Sequence, residues 1–272
     1  MTHLPKIAMI GTDRRSDKIH WEHFWASKKH AEDVYSNAER VISQILKATP
    51  VRHKRILEVG AGTGRDGFQL VDAGAKVFLL DYTEQSLSLM KEVARQDRKH
   101  VMLIKGDALA LPFKNESFDV VFHQGLLEHF RDPAPLLREN YRTLCSGGIC
   151  LVDVPQKFHV YTVIKHLLIC LNSWFAGWET EFSVRDLGKL TRRVGFQVRI
   201  FYGDWMRPSL FYRILREILM CVGLSLPMYP KGFKRMRSLR NHFREFISRF
   251  PLYLYTCLNI GVVVEKPMMP RP

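Results

Sequence analysis

Residues 56–67, ILEVGAGTGRDG, place glycines at 60, 62 and 64 directly after an apolar run. Glycine accepts the left-handed backbone that lets a loop pass close beneath a ligand. A dinucleotide loop needs the spacing GxGxxG, the last glycine allowing a helix to pack tightly. Here the spacing is GxGxG, and Arg65 stands where that last glycine would fall. Glu58, just ahead of the loop, would repel a pyrophosphate and suits a cation instead. S-adenosylmethionine, with its sulfonium and its ammonium, is such a cation. The alternative for Glu58 is a strand-end acid paired with Arg65 or Lys54.

Two further acids extend this chemistry. Asp81 in FLLDY follows Gly60 at the distance expected of a carboxylate that binds ribose hydroxyls. Tyr82 beside it would lie against an adenine ring. In GDA at 106–108, Asp107 offers a carboxylate to an exocyclic amine and Ala108 a backbone N–H to a ring nitrogen. Read alone, GDA is a turn. Beyond the next apolar run, GLLEHF carries Glu128 and His129. The unperturbed pKa of histidine, about 6.5, makes His129 a candidate general base. A helix-start histidine bonded to neighbouring chain is the other reading.

These residues need a frame of strand ends. RILEVG, KVFLLD, HVMLIKGD, SFDVVFHQ and GICLVDVP are short apolar runs separated by helical stretches, the last of which ends at Ser146–Gly148. That alternation predicts a parallel, doubly wound sheet with its ligand at the C-terminal edge of the strands. SVRDLGKLTRRVG reads as a helix with Ser183 as N-cap and Asp186 as capping-box acid. FQVRIFYG and LNIGVVVEK supply later strands. Residues 16–49 read as helical and stop at Pro50. The expected division is an N-terminal helical cap over 1–50 and a core over 51–203 and 253–266. A helical insertion at 155–182 and a basic apolar helical insertion at 204–252 complete it.

The whole chain sets outer limits. Its 272 residues are 46% hydrophobic and 11% aromatic, enough for a large packed core. The five cysteines include no CxxC pair, so neither a disulfide framework nor a zinc site is expected. No signal-peptide core opens the sequence, and charged residues break the longer apolar runs. A cytoplasmic protein is therefore expected.

ILEVGAGTGRDGFQL, LLDYTEQSL, GDALALPFKNESFDVVFHQGLLEHF and LCSGGICLVDVP resemble the successive motifs of class I S-adenosylmethionine-dependent methyltransferases. The likeness is nearest to the methyltransferase type 11 group, which includes ubiquinone- and menaquinone-pathway enzymes. It covers 55–154 well, and 183–203 and 258–265 by strand order. It implies a Rossmann-like, mostly parallel seven-stranded sheet, with N-terminal helices and the two insertions forming an acceptor lid. It also implies S-adenosylmethionine as cofactor, with Glu58, Gly60, Ala61, Gly62 and Gly64 around its methionine part. Asp81 and Tyr82 would serve the ribose and adenine, Asp107 and Ala108 the adenine edge. His123 and Gln124 would meet the amino group. Some ubiquinone-pathway relatives bind a divalent cation through an acid three residues before the Glu-His pair. Gly125 takes that position here, so no metal is expected.

The acceptor is less legible. His159, Tyr161, Trp178 and Glu179 are candidates to line its pocket, as an apolar wall with a polar end; packing of these helices on the sheet explains the tryptophans equally. The net charge is +14, and residues 205–250 hold ten Lys or Arg against Glu217 and Glu245. Within 231–249, Phe233, Met236, Leu239, Phe243 and Phe246 recur at helical spacing among arginines. That pattern suits a helix at an anionic membrane surface, or a core-facing helix with a solvated side. Nucleic acid is disfavoured, since no RNA-binding module and no NPPY-type motif is present. The expected activity is methyl transfer to an O, N or C nucleophile of a small or lipid-linked acceptor. An NAD-dependent oxidoreductase, a nucleic-acid methyltransferase and a non-catalytic cofactor-binding subunit are the alternatives.

Overall fold

The apolar runs become the strands of one sheet. The structure, a computed structural model, describes residues 18–27, 38–171, 179–205, 208–221, 223–227 and 242–268. In chain order the sheet comprises β1 (Arg55–Val59), β2 (Lys76–Asp81), β3 (Met102–Lys105), β4 (Phe118–Gln124), β5 (Leu144–Pro155), β6 (Gln197–Asp204) and β7 (Asn259–Glu265). Their order across the sheet is β3-β2-β1-β4-β5-β7-β6. The first five pair in parallel, while β7 runs antiparallel to both β5 and β6. This is the Rossmann-like, mostly parallel seven-stranded sheet that the motif order implies.

Helices cover both faces. α1 (Lys18–Ala26) and α2 (Ala38–Ala48) precede the sheet; α3 (Arg65–Asp72), α4 (Glu84–Gln96) and α5 (Ala134–Thr143) connect its parallel strands. α6 (Val160–Cys170), α7 (Val184–Val194) and α8 (Leu210–Cys221) follow. Side chains alternate across each strand, so every central strand feeds two cores. On one face Leu57, Val59, Val121 and Val152 pack with Leu136 and Leu187. On the other, Ile56, Val120, Phe122 and Leu151 pack with Val41, Ile45, Phe68 and Met90.

The capping box of α7 forms as its sequence predicts. Ser183 Oγ accepts from the Asp186 N–H at 3.2 Å, and the Asp186 carboxylate accepts from the Ser183 N–H at 3.1 Å. The boundary before β5 differs from the sequence reading. α5 already ends at Thr143, and Ser146, Gly147 and Gly148 lie inside the strand. Gly147 has a φ of 73°, and the β4–β5 register shifts between Phe118 and Val120. The glycines thus form an irregularity within a strand rather than a helix stop. The residues between α1 and α2, 28–37, lie outside the described ones.

Candidate functional site

The β1–α3 loop is built for close backbone approach. Gly60, Gly62 and Gly64 have φ values of 65°, 56° and 67°. A Cβ on Gly60 would stand 2.8 Å from Leu126, and one on Gly62 only 2.7 Å from the Trp25 ring. Conformation and space therefore both require glycine here. Trp25 belongs to α1, so the N-terminal helix lies against the loop.

Buried carboxylates surround this loop. Glu58 Oε2 accepts from the Gly67 N–H at 2.9 Å, in the first turn of α3. Asp81 Oδ2 accepts from the Gly62 N–H at 3.0 Å, and its Oδ1 from the Thr83 N–H and hydroxyl. Ser86 completes the brace by donating its hydroxyl to the Gly62 carbonyl at 2.6 Å. Asp66, in the first turn of α3, is also buried. Burial, then the charge of Asp66, pushes the Glu58 carboxyl well above its usual range. Burial lifts Asp66 to about 6, although Arg40 and Arg65 pull it down.

This set of groups separates two cofactor classes. A pyrophosphate uses the free N–H groups at a helix N-terminus; here Glu58 already occupies the Gly67 N–H and adds negative charge. Carboxylates whose ionised form is disfavoured by burial and by one another gain from an incoming cation. The donor set fits a sulfonium and an ammonium, and does not fit a dinucleotide.

The strand order places the other cofactor candidates along the same edge. β3, β2, β1 and β4 are neighbours, so Asp107 after β3, Asp81 and Tyr82 after β2, the glycine loop after β1 and Gln124 at the end of β4 form one row. Asp107 is exposed and its Oδ1 accepts from the Leu109 N–H at 2.8 Å. Ala108 is buried beside it. Both Asp81 oxygens are engaged with protein groups; Oδ1 accepts two bonds from Thr83, and Oδ2, with one from Gly62, keeps a second lone pair. His123 is fully buried, and neither ring nitrogen has a hydrogen-bond partner among the described residues. Desolvation takes its pKa to about 3, which keeps the ring neutral.

Past β4 the chain turns at Gly125, φ 65°, into a 3-10 turn over Leu127–His129. Glu128 is buried there, and its Oε2 has no partner among the described residues. Its Oε1 lies 3.7 Å from where a Cβ on Gly125 would stand. Burial and the nearby Glu179 push this carboxyl well above its ordinary range. Glu179 in turn meets the buried Lys165 at 2.9 Å, and Lys165 reaches Glu181 at 3.0 Å. The Thr180 N–H donates to the Glu128 carbonyl at 2.6 Å, joining this cluster to the end of β4. The His129 ring stands edge-on to Trp21 of α1, with centroids 4.8 Å apart.

Two of the remaining acceptor candidates meet at the start of α6. His159 caps α6, its Nδ1 accepting from the Tyr161 N–H at 3.1 Å. Tyr161 is half-buried. Trp178 lies outside the described residues, as do Trp174 and Phe175.

One group of residues escaped the sequence reading. Arg40 of α2 donates Nε and Nη2 to the two Asp153 oxygens, at 2.8 and 2.6 Å. It also lies 4.0 Å from Asp204, which pairs with Arg244. Asp153 and Asp204 sit near the C-terminal ends of β5 and β6, so the network lies at the same sheet edge as the glycine loop. Arg40 and Asp153 are 113 positions apart, and Arg40 belongs to no motif.

Comparison with known proteins agrees with this geometry. Residues 57–152 match the family model described as a methyltransferase domain. A demethylmenaquinone methyltransferase of Renibacterium salmoninarum is 36% identical over 113 residues, covering 42% of this chain and 45% of that protein. One of Lactococcus lactis is 35% identical over 165 residues, covering 52% and 65%. The matched stretches thus span less than two thirds of either relative. In structure, an S-adenosylmethionine-dependent methyltransferase of Thermotoga maritima superposes with a TM-score of 0.60 over 91% of this chain and 98% of that one, at 20% identity. Residues 57–152 thus match a methyltransferase domain, and the chain shares the fold of that S-adenosylmethionine-dependent methyltransferase.

Proposed function

We propose that the protein is an S-adenosylmethionine-dependent methyltransferase whose acceptor is a small or lipid-linked molecule with a hydroxyl-bearing ring. The observation that carries the cofactor half is the buried carboxylate set of Glu58, Asp66 and Asp81 around a left-handed glycine loop. The acceptor half draws on the relatives named for demethylmenaquinone methylation.

When bound, the cofactor supplies a methyl group made electrophilic by its sulfonium. The chain holds it with the backbone of Gly60–Gly64 under the methionine part. Glu58 stays in place through the Gly67 N–H and supplies the negative field. Asp81 serves the ribose with the remaining lone pair of Oδ2, Tyr82 lies against the base, Asp107 and Ala108 receive the adenine edge, and Gln124 meets the amino end. The protein's main task is then alignment of the acceptor with water excluded.

A hydroxyl acceptor, or a ring carbon activated by one, must also lose a proton. Glu128 is better suited to take it than His129. Its Oε2 is unpartnered among the described residues, and its proton affinity is raised, as a base working near neutral pH requires. The His129 ring packs on Trp21 and orients the turn. His159, Tyr161, Trp178 and Glu179 are proposed to border the acceptor, Glu179 through its influence on Glu128.

Calorimetry tests the cofactor: tight binding of S-adenosylmethionine and none of NAD is expected, and the reverse would overturn the reading. For the acceptor, enzyme and isotope-labelled donor are incubated with lipid and aqueous extracts. Mass spectrometry should find the label in a ring-hydroxyl compound; label confined to polypeptide or nucleic acid would refute this acceptor class.

A further inference from the structure

Surface helices of a protein in water turn their apolar stripe inward; α8 does the opposite. Phe211 is 77% and Ile218 58% exposed, whereas the Arg216 side chain is only 17% exposed. On α6, Val163 and Leu167 also point outward while Thr162 and Lys165 are buried. A third such group precedes β7, where Phe246 and Leu252 are exposed.

These segments share one location. α6 follows the C-terminal end of β5, α8 follows that of β6, and residues 242–256 lead into the antiparallel β7. All three leave the sheet at the edge that carries the glycine loop. Ring contacts tie residues just before α6 and α8 to the third segment: Phe158 to Tyr255 at 6.0 Å, and Trp205 to Phe243 at 6.3 Å. The Arg244–Asp204 ion pair holds the third segment on β6. The sequence that joins α8 to the third segment is basic, since residues 205–250 carry +8 of the net +14. A second copy of the chain would bring its own basic segment against this one, and like charges at an interface are costly. An anionic bilayer satisfies both properties, taking up apolar side chains and attracting Lys and Arg.

We propose that these three outward apolar faces form a docking surface for an anionic lipid bilayer, from which a membrane-dissolved acceptor enters at the C-terminal edge of the sheet. The delivery half rests on the methyltransferase reading; the docking half stands without it.

Flotation with vesicles tests the surface. The full chain should float with phosphatidylglycerol–phosphatidylcholine vesicles, not with phosphatidylcholine alone, and less at high salt. Each basic residue near an anionic surface contributes about fivefold in affinity. Removing Arg235, Arg237 and Arg240 by charge reversal should therefore weaken binding about a hundredfold or more. Leu167→Ser with Phe211→Ser, at exposed positions, should abolish flotation and leave S-adenosylmethionine affinity unchanged. Absence of wild-type flotation would overturn the proposal, as would equal binding to neutral vesicles or variants that float like wild type. So would a sedimenting dimer that Phe211→Ser dissolves. Flotation by a protein that fails to bind S-adenosylmethionine would keep the docking surface and remove the methyltransferase reading.

Discussion

Substitution of Arg40 by Met keeps much of the side chain's length and apolar stem but removes its charge from α2. In the native protein the guanidinium donates to both Asp153 oxygens, and the two side chains are 3% and 0% exposed. Asp204 retains Arg244 in the variant, so Asp153 is the group left stranded. Asn259, at 3.4 Å, cannot replace a cation. Breaking a buried pair by deleting one partner costs about 3–5 kcal/mol, a large share of the roughly 5–15 kcal/mol typical of a folded domain. For a chain of this size the melting temperature should fall by roughly 6–20 °C. Urea unfolding at neutral pH, without cofactor, measures the loss. Adding Asp153→Asn to the Arg40→Met chain should recover at least half of it, because no bare carboxylate then remains. A loss below about 1 kcal/mol, the level of an exposed pair, would refute the reasoning. So would a double variant as unstable as the sum of the singles.

Glu58→Gln keeps an oxygen for the Gly67 N–H but removes the charge. S-adenosylmethionine should bind at least about tenfold more weakly, a loss of about 1.4 kcal/mol, by calorimetry; unchanged affinity would count against an electrostatic role. Asp66, lifted to about 6 from 3.8, holds a proton in the cofactor-free fold that the unfolded chain has already lost. Its contribution to stability is therefore full below pH 4 and disappears as pH rises through 6, by at most about 3 kcal/mol; Asp66→Asn should flatten that limb in unfolding curves. The same ionisation makes donor binding release protons near pH 6, seen as a buffer-dependent heat. Gly64→Ala forces a left-handed alanine whose Cβ stands 2.8 Å from Leu79 and 3.0 Å from Met90, so a loss of about 1–2 kcal/mol or more is expected in thermal melts. Glu128→Gln should remove the acidic limb of the rate profile and lower turnover about a hundredfold or more, with donor affinity retained in calorimetry.

Local signals carried the sequence reading. Glu58 beside three glycines, the strand-ending acids Asp81 and Asp107, and the Ser183–Asp186 box each depend on short local patterns; the alternation of elements implied a parallel, doubly wound sheet, and the family resemblance its seven strands. Asp66 was harder to see, since an acid in a helix's first turn is ordinary until the fold buries it beside Glu58. The Arg40–Asp153 pair was invisible because pairing across 113 positions leaves no periodic trace. The glycines at 147 and 148 carried an ambiguous signal, as a helix stop and a strand irregularity use the same residues. For 204–252 the sequence displayed a basic apolar helical insertion; only the fold tells which way the apolar side chains of α8 face.

The placement of β7 has a consequence for synthesis. β6 touches the rest of the sheet only through β7, which slots between it and β5. A ribosome-bound chain therefore carries an open rim along β5 and an unpaired β6 until residue 265 has left the exit tunnel. Unpaired strand rims invite association with other chains. Premature termination within the last strand should yield insoluble product, although every residue of the cofactor cradle has already been made.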